Sequence, residues 1–144
     1  MASDRPWLRH YDPGVPESID IPDIPVFQFL EEAARKIPDQ PCTVFQDSAV
    51  TYRVMDELSD LLAAGLIALG VKPGDRVGLM LPNIPQFVLA YYAILKAGGV
   101  VVAVNPAYKQ RELSYQITDA EVEVLIGLHD HVELLNTVLS LIHI

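Results

Sequence analysis

Three features of the stretch from Thr51 to Pro106 predict an α/β fold, a parallel sheet with flanking helices preceded by a proline-rich arm and a helix. Apolar residues recur at helical spacing over residues 52–69 and again over 84–95. Each helical segment is followed by a short continuous apolar run, Arg76-Val77-Gly78-Leu79-Met80-Leu81 and Val100-Val101-Val102-Ala103-Val104, the pattern of a strand buried on both faces. Gly70 and Gly98-Gly99 stand where helix must give way to strand. Strand, helix and strand in that order make a βαβ unit, whose strands run parallel.

Residues 1–25 hold five of the 11 prolines and no helical periodicity, so they are expected to form an extended or loop-like docking arm. A helix should follow, started by Asp23 or a neighbour, with Val26, Phe29, Leu30 and Ala33 facing inward against a sheet until Pro38 stops it. Residues 41–51 read as a β-hairpin turning at Asp47-Ser48. In the next helix Met55, Leu58, Leu62, Leu66 and Leu69 form the apolar series. Lys72-Pro73-Gly74-Asp75 then reverses the chain, with Pro setting φ at the second position and Gly admitting positive φ at the third. Asn83 is the expected cap of the second helix, Pro85 sits in its first turn, and Ile84, Phe87, Val88, Tyr91 and Leu95 mark its buried face. A short helix over residues 112–118 uses Leu113 and Ile117, and residues 122–126 make a third parallel strand after the turn Asp119-Ala120-Glu121.

Composition narrows the function classes. A chain of 144 residues with 51% hydrophobic and 20% charged residues is one globular domain able to bury a core. No apolar run approaches the roughly 20 residues of a membrane helix. The formal charge of −9, with the four Lys and six Arg scattered, excludes a nucleic-acid surface, which draws its affinity from clustered cations. The single Cys42 permits no internal disulfide, and the N-terminus lacks the plan of a secretory signal, which points to a reducing, cytoplasmic location with peripheral membrane contact left open. Cys42, between Pro41 and a strand, reads as a small buried hydrophobe rather than a nucleophile.

The phrases Thr51-Tyr52-Arg53, Leu58-Ser59-Asp60, Gly70-Val71-Lys72-Pro73-Gly74-Asp75-Arg76-Val77, Leu81-Pro82-Asn83, Leu95-Lys96-Ala97-Gly98-Gly99 and Val104-Asn105-Pro106 stand in a fixed order. Together they resemble the first two core motifs of the superfamily of acyl-CoA synthetases, adenylation domains and luciferases. The resemblance runs from about Trp7 to Ile126. Trp7-Leu8, Tyr11, Gly14-Val15-Pro16 and the helix around Phe27-Leu30-Glu31-Glu32 resemble the opening of bacterial long-chain acyl-CoA synthetases in particular.

What the resemblance implies is a fragment of an ATP-dependent fatty acid:CoA ligase, with residues 26–138 part of its AMP-binding N-terminal domain. The parent would use fatty acid, ATP, Mg²⁺ and CoA. The alternatives are an aryl-CoA ligase, an amino-acid adenylation domain, or a non-catalytic α/β binding module.

Adenylate formation needs a phosphate-holding loop, a cation for the α-phosphate and Mg²⁺. The family's Ser/Thr/Gly-rich loop is absent from these 144 residues, and Gly70, Gly74 and Gly78 have turn and strand spacing instead. No catalytic or metal residue is therefore assigned, no cofactor is expected on this chain alone, and its cofactor-binding residues stay unknown. Ligands of open α/β sheets lie beyond the carboxyl ends of strands, here Pro82-Asn83, Asn105-Pro106-Ala107-Tyr108 and Gly127-Leu128-His129. Asn105 and Tyr108 are candidates for lining an acyl or pantetheine passage, against their plainer reading as a turn and a packed aromatic. His129, Asp130 and His131 are too few for a metal site without a further ligand, and His10 stands alone in the arm. The arm is a candidate for exchange in a homodimer.

Residues 139–144, Leu-Ser-Leu-Ile-His-Ile, depart from the family pattern. One set of codons for them, CTG-TCT-CTT-ATA-CAC-ATC, spells a transposon end used as a sequencing adapter, so a non-native tail is expected there. A natural helix end carrying Leu134, Leu135 and Val138 is the alternative. With the third strand at the sheet's apolar edge, the chain is expected to associate or to express poorly.

Overall fold

The computed structural model describes residues 5–141, and for residues 139–141 the backbone only. In chain order the elements are α1 (Val26–Lys36), β1 (Pro41–Phe45), β2 (Ser48–Thr51), α2 (Tyr52–Ala68), β3 (Arg76–Met80), α3 (Pro85–Lys96), β4 (Val100–Ala103), α4 (Gln110–Asp119), β5 (Val124–Gly127) and α5 (Val132–Leu141). β1 and β2 form an antiparallel hairpin, while β3 is the centre of a parallel sheet ordered β4-β3-β5. Val77 lies beside Val101 on one neighbour and Val124 on the other. The expected α/β class with its parallel sheet is present.

Alternation along the strands divides the core in two. Val77 and Leu79 enter a cluster with Ala63 and Leu66 of α2 and Ala90, Ala93 and Ile94 of α3, joined by Val101, Val124 and Ile126. Met80 points the other way, into Leu113 and Ile117 of α4 and Val138 of α5, joined by Val102 and Leu125. Helices thus cover both faces, which is why β3 reads as continuously apolar. Gly78 shares the second face. A Cβ on it would stand 2.4 Å from Leu125 Cδ1 and 3.1 Å from Val122 Cγ1, so its bare backbone makes the room that lets β5 close over β3.

Each helix that leads into a strand of the parallel sheet ends in the same device. At α2, Gly70 at φ +104 follows Leu69, its N–H reaches Ile67 O, and Val71 N–H reaches Leu66 O at 3.1 Å. At α3, Gly98 at φ +80 repeats this, with Gly98 N–H on Leu95 O and Gly99 N–H on Ile94 O. At α4 the left-handed position is Glu121, φ +50, with Glu121 N–H on Thr118 O and Val122 N–H on Ile117 O. These pairs are Schellman caps. They satisfy the last carbonyls and aim the chain into the next strand.

Several expectations are corrected. The hairpin turns at Gln46-Asp47, one residue earlier than Asp47-Ser48, because Phe45 pairs with Ser48 and Gln46 takes the positive φ of +53. Asn83 does not cap α3; Ile84 holds the N-cap position without a side-chain bond, and Pro85 removes a donor that needed none. The deepest positions of α3 are Ala90, Ala93, Ile94 and Ala97, since small residues allow close approach to α2 and the sheet, and the larger Phe87 and Tyr91 flank them half-buried. α1 packs on α2 and α3 instead of a sheet, so only Leu30 is fully buried while Val26 and Phe29 remain about half exposed. α4 starts earlier and is longer than expected, Lys109 N–H being held by Glu112 Oε2 at 3.2 Å. β5 starts two residues late, because Glu121 and Val122 complete the cap of α4.

The arm is not purely extended. Pro6–His10 form a 3-10 turn, after which the chain runs exposed to α1. The expected non-native tail falls partly on residues 142–144, outside the described residues; α5 runs to Leu141.

Candidate functional site

The carboxyl ends of β4, β3 and β5 open side by side, as a parallel sheet requires. Past β3 the chain runs through Leu81-Pro82-Asn83 into α3. Asn83 and Ile84 join Pro85, Phe87 and Val88 of α3 and Thr43, Val44 and Phe45 of the hairpin around an apolar cleft of about 230 Å³. Thr43 Oγ1 is buried with no hydrogen-bond partner among the described residues.

Past β4, Asn105 is used by its own loop. Its Oδ1 accepts from Ala107 N–H at 2.9 Å and its carbonyl accepts from Tyr108 N–H at 3.1 Å, an Asx turn that ends the strand. Tyr108 packs half-buried on the α4–α5 core and lines a second cleft, of about 560 Å³, with Arg111, Glu112, Tyr115 and Gln116. Gln116 Nε2 donates to Ala103 O at 3.0 Å, tying α4 to the end of β4, while its Oε1 is buried without a partner among the described residues. The structure therefore places the two candidates differently: Asn105 is spent on the turn, and Tyr108 faces a cleft. Arg111 and Gln116 were missed. Their sequence signal was weak, Arg111 lying three residues and Gln116 eight residues beyond Tyr108, and it counts only once a helix starts at Gln110.

Past β5, His129–His131 form a 3-10 turn with His129 and Asp130 exposed and His131 half-buried. Among the described residues no group of three His, Cys, Asp or Glu side chains is placed to hold a metal ion. Cys42 is half-buried and burial pushes its thiol pKa up, the opposite of an activated nucleophile.

The strongest polar constellation lies between α2 and α3, away from the strand ends. Lys96 Nζ, its side chain only 6% exposed, donates to Asp56 Oδ1 and Asp60 Oδ1, each at 2.6 Å, and to Asp56 O at 3.2 Å. Burial works to lower the ammonium pKa, but the hydrogen bonds and charge of Asp56 and Asp60 together raise it above the ordinary value of 10.5. Beside it Ser59, fully buried, donates to Asp56 O at 2.8 Å. This cluster binds two of the quoted motif segments, Leu58-Ser59-Asp60 and Leu95-Lys96-Ala97-Gly98-Gly99, to each other. Their role in this chain is to fix α2 against α3.

The clefts offer apolar walls, one guanidinium, one carboxylate and two phenols, with neither a phosphate-cradling loop nor a metal set among the described residues.

Residues 30–142 match the model of the family described as AMP-binding enzyme. A long-chain-fatty-acid–CoA ligase of Bacillus subtilis is 42% identical over 130 residues, covering 89% of this chain and 23% of that protein. Bacitracin synthase 1 of Bacillus licheniformis is 36% identical over 102 residues, 71% of this chain and 2% of that protein. The apo structure of Mycobacterium smegmatis MbtA superposes with a TM-score of 0.78 at 33% identity, covering 83% of this chain and 23% of that one. The chain thus spans about a quarter of the ligase it matches. No helix among the described residues is long and apolar enough to cross a membrane. With the family model matched over most of its length and the motif segments holding the places that build this sheet, the chain belongs to the AMP-binding enzyme family.

Proposed function

We propose that these residues are the N-terminal part of an ATP-dependent fatty acid:CoA ligase. The longer protein would join a fatty acid to ATP as acyl-adenylate with release of pyrophosphate, then pass the acyl group to CoA. The observation that carries the reading is the reach of the match to the Bacillus subtilis ligase. At 89% of this chain it must include part of the arm before α1, whereas the bacitracin synthase match covers 71%. An amino-acid adenylation domain is thereby the weaker reading.

In this reading the 144 residues supply a scaffold: a sheet whose strand ends present the Tyr108–Arg111–Gln116 cleft to the rest of the ligand site. Tyr108 and Arg111 would orient the acyl or pantetheine chain, and the phosphates would be held by later residues. A cytoplasmic location belongs to the same reading. The arm, whose Trp7, Ile19 and Ile21 stand exposed, is one route by which copies could associate; an association through it would be lost in sedimentation on Ile19→Ser with Ile21→Ser.

Calorimetric titration of this chain with Mg·ATP tests the assignment. No saturable heat is expected up to about 1 mM nucleotide, since no described loop holds phosphates. Saturable micromolar binding would overturn the scaffold role and favour a self-contained binding module.

A further inference from the structure

The outward side of α2 carries a second apolar stripe that nothing among the described residues covers. Val54, Leu58, Leu61, Gly65 and Ala68 are all exposed and follow one another at steps of four, three, four and three residues, the a/d spacing of a coiled-coil seam. Leu61 is 71% exposed and Leu69, beside the seam, 79%. The buried side of the same helix is a separate row, Met55, Ser59, Ala63 and Leu66. α2 is thus apolar on two sides, and only one is used.

The stripe is graded. Its first half is bulky, Val54, Leu58 and Leu61, and its second half small, Gly65 and Ala68. A Cβ placed on Gly65 would meet nothing within 4 Å, so a neighbouring helix can approach closely there. We infer that this face pairs with the same face of a second copy, the two α2 helices running antiparallel about a two-fold axis at Leu61. That arrangement lays Leu58 of one copy beside Gly65 of the other and Val54 over Ala68, large against small on either side of a central Leu61 pair. A parallel pair would set Leu58 on Leu58 and leave Gly65 facing Gly65 across a void.

Charge selects the same orientation. Glu57 is the acidic residue flanking the seam. In a parallel pair the two Glu57 side chains would stand at one level, whereas the antiparallel pair separates them by eight residues, about 12 Å at the helical rise. Five seam residues a side, one of them a glycine, fall short of the roughly 800 Å² per partner of a standard interface, so the dimer should be weak, with a dissociation constant on the order of 100 µM. The chain's charge of −9 opposes association at low salt, so added salt should tighten the dimer.

Sedimentation velocity of the full chain from about 5 to 500 µM reads the equilibrium. A monomer–dimer curve is expected, with Leu61→Lys weakening it at least tenfold and Ile19→Ser with Ile21→Ser leaving it unchanged. Geometry is read by oxidative cross-linking in a Cys42→Ser background. Leu61→Cys should link to itself, and Val54→Cys should link to Ala68→Cys on another copy but not to itself. A monomer at all concentrations overturns the proposal, as does an association that survives Leu61→Lys, whether it runs through the arm or the sheet edges. Self-linking of Val54→Cys overturns the antiparallel geometry.

Discussion

The Lys96→Met variant is expected to unfold about 8 °C below the parent chain, a loss of about 2 kcal/mol. Methionine keeps most of the side chain's length and packing, so the loss isolates the ammonium. Without it, Asp56 and Asp60 are left side by side between two helices with no cation. Breaking a fully buried pair costs more, but Asp56 is 24% and Asp60 64% exposed, and water recovers part of the charge. The sign of the pH dependence follows from the direction of the shift. The folded chain raises the pKa of Lys96 above the ordinary 10.5, so this stabilisation is complete below the ordinary value and is lost as pH rises through the higher folded one. Melting curves at neutral pH and again above pH 10.5 check it: the parent should lose stability over that interval by more than the variant does. Equal midpoints at neutral pH would mean that α2 and α3 are held by Ala63, Leu66, Ala90 and Ala93 alone.

How much of this was legible depended on whether a residue announces its own backbone. Gly70 and Gly98 did, because glycine after an apolar helical series is the usual left-handed cap, and the βαβ unit followed with its strands correctly placed. Glu121 performs the same task with no such signal. Its side chain instead meets Arg76 at the head of β3, Nη1 to Oε2 at 2.9 Å, a contact 45 residues away that no local pattern reveals. That is why β5 was placed too early. The burial of α1 and α2 was misjudged for a related reason: periodicity tells how many faces are apolar but not which meets a neighbour. Leu58 belongs to the apolar series yet is 42% exposed, while polar Ser59 is fully buried. At the strand ends, the rule for open sheets pointed to loops that line clefts, with Asn83 on one and Tyr108 on the other. It could not say that Asn105 folds back on its own amides, nor that the capped start of α4 brings Arg111 and Gln116 beside Tyr108. The ion cluster was hidden for the plainest reason, since Lys96 lies 36 and 40 residues from its carboxylates.

Gly98→Val should be the most damaging single change of a glycine, at about 4 kcal/mol, a large share of the stability of a domain this size. Two independent costs meet there. The residue sits at φ +80, where a β-branched side chain is a genuine outlier. A Cβ would also stand 3.2 Å from Pro73 Cα, Cβ and Cγ, and a proline ring has no rotamer with which to withdraw. Pro73 cannot move alone either, because its turn is docked by Gly74 N–H on Gly98 O at 2.9 Å and, through Asp75 O, by Val100 N–H at 2.8 Å. The substitution therefore pushes apart the two loops that set β3 beside β4. Gly65→Ala is the control for the general effect of removing a glycine. That site lies inside α2 with open space around it, so alanine should stabilise by about 0.8 kcal/mol through helix propensity alone. Chemical denaturation of both variants separates the cases. Opposite signs are expected, and a Gly98→Val midpoint equal to the parent's would show that the α3 cap and the Pro73 turn can part without loss.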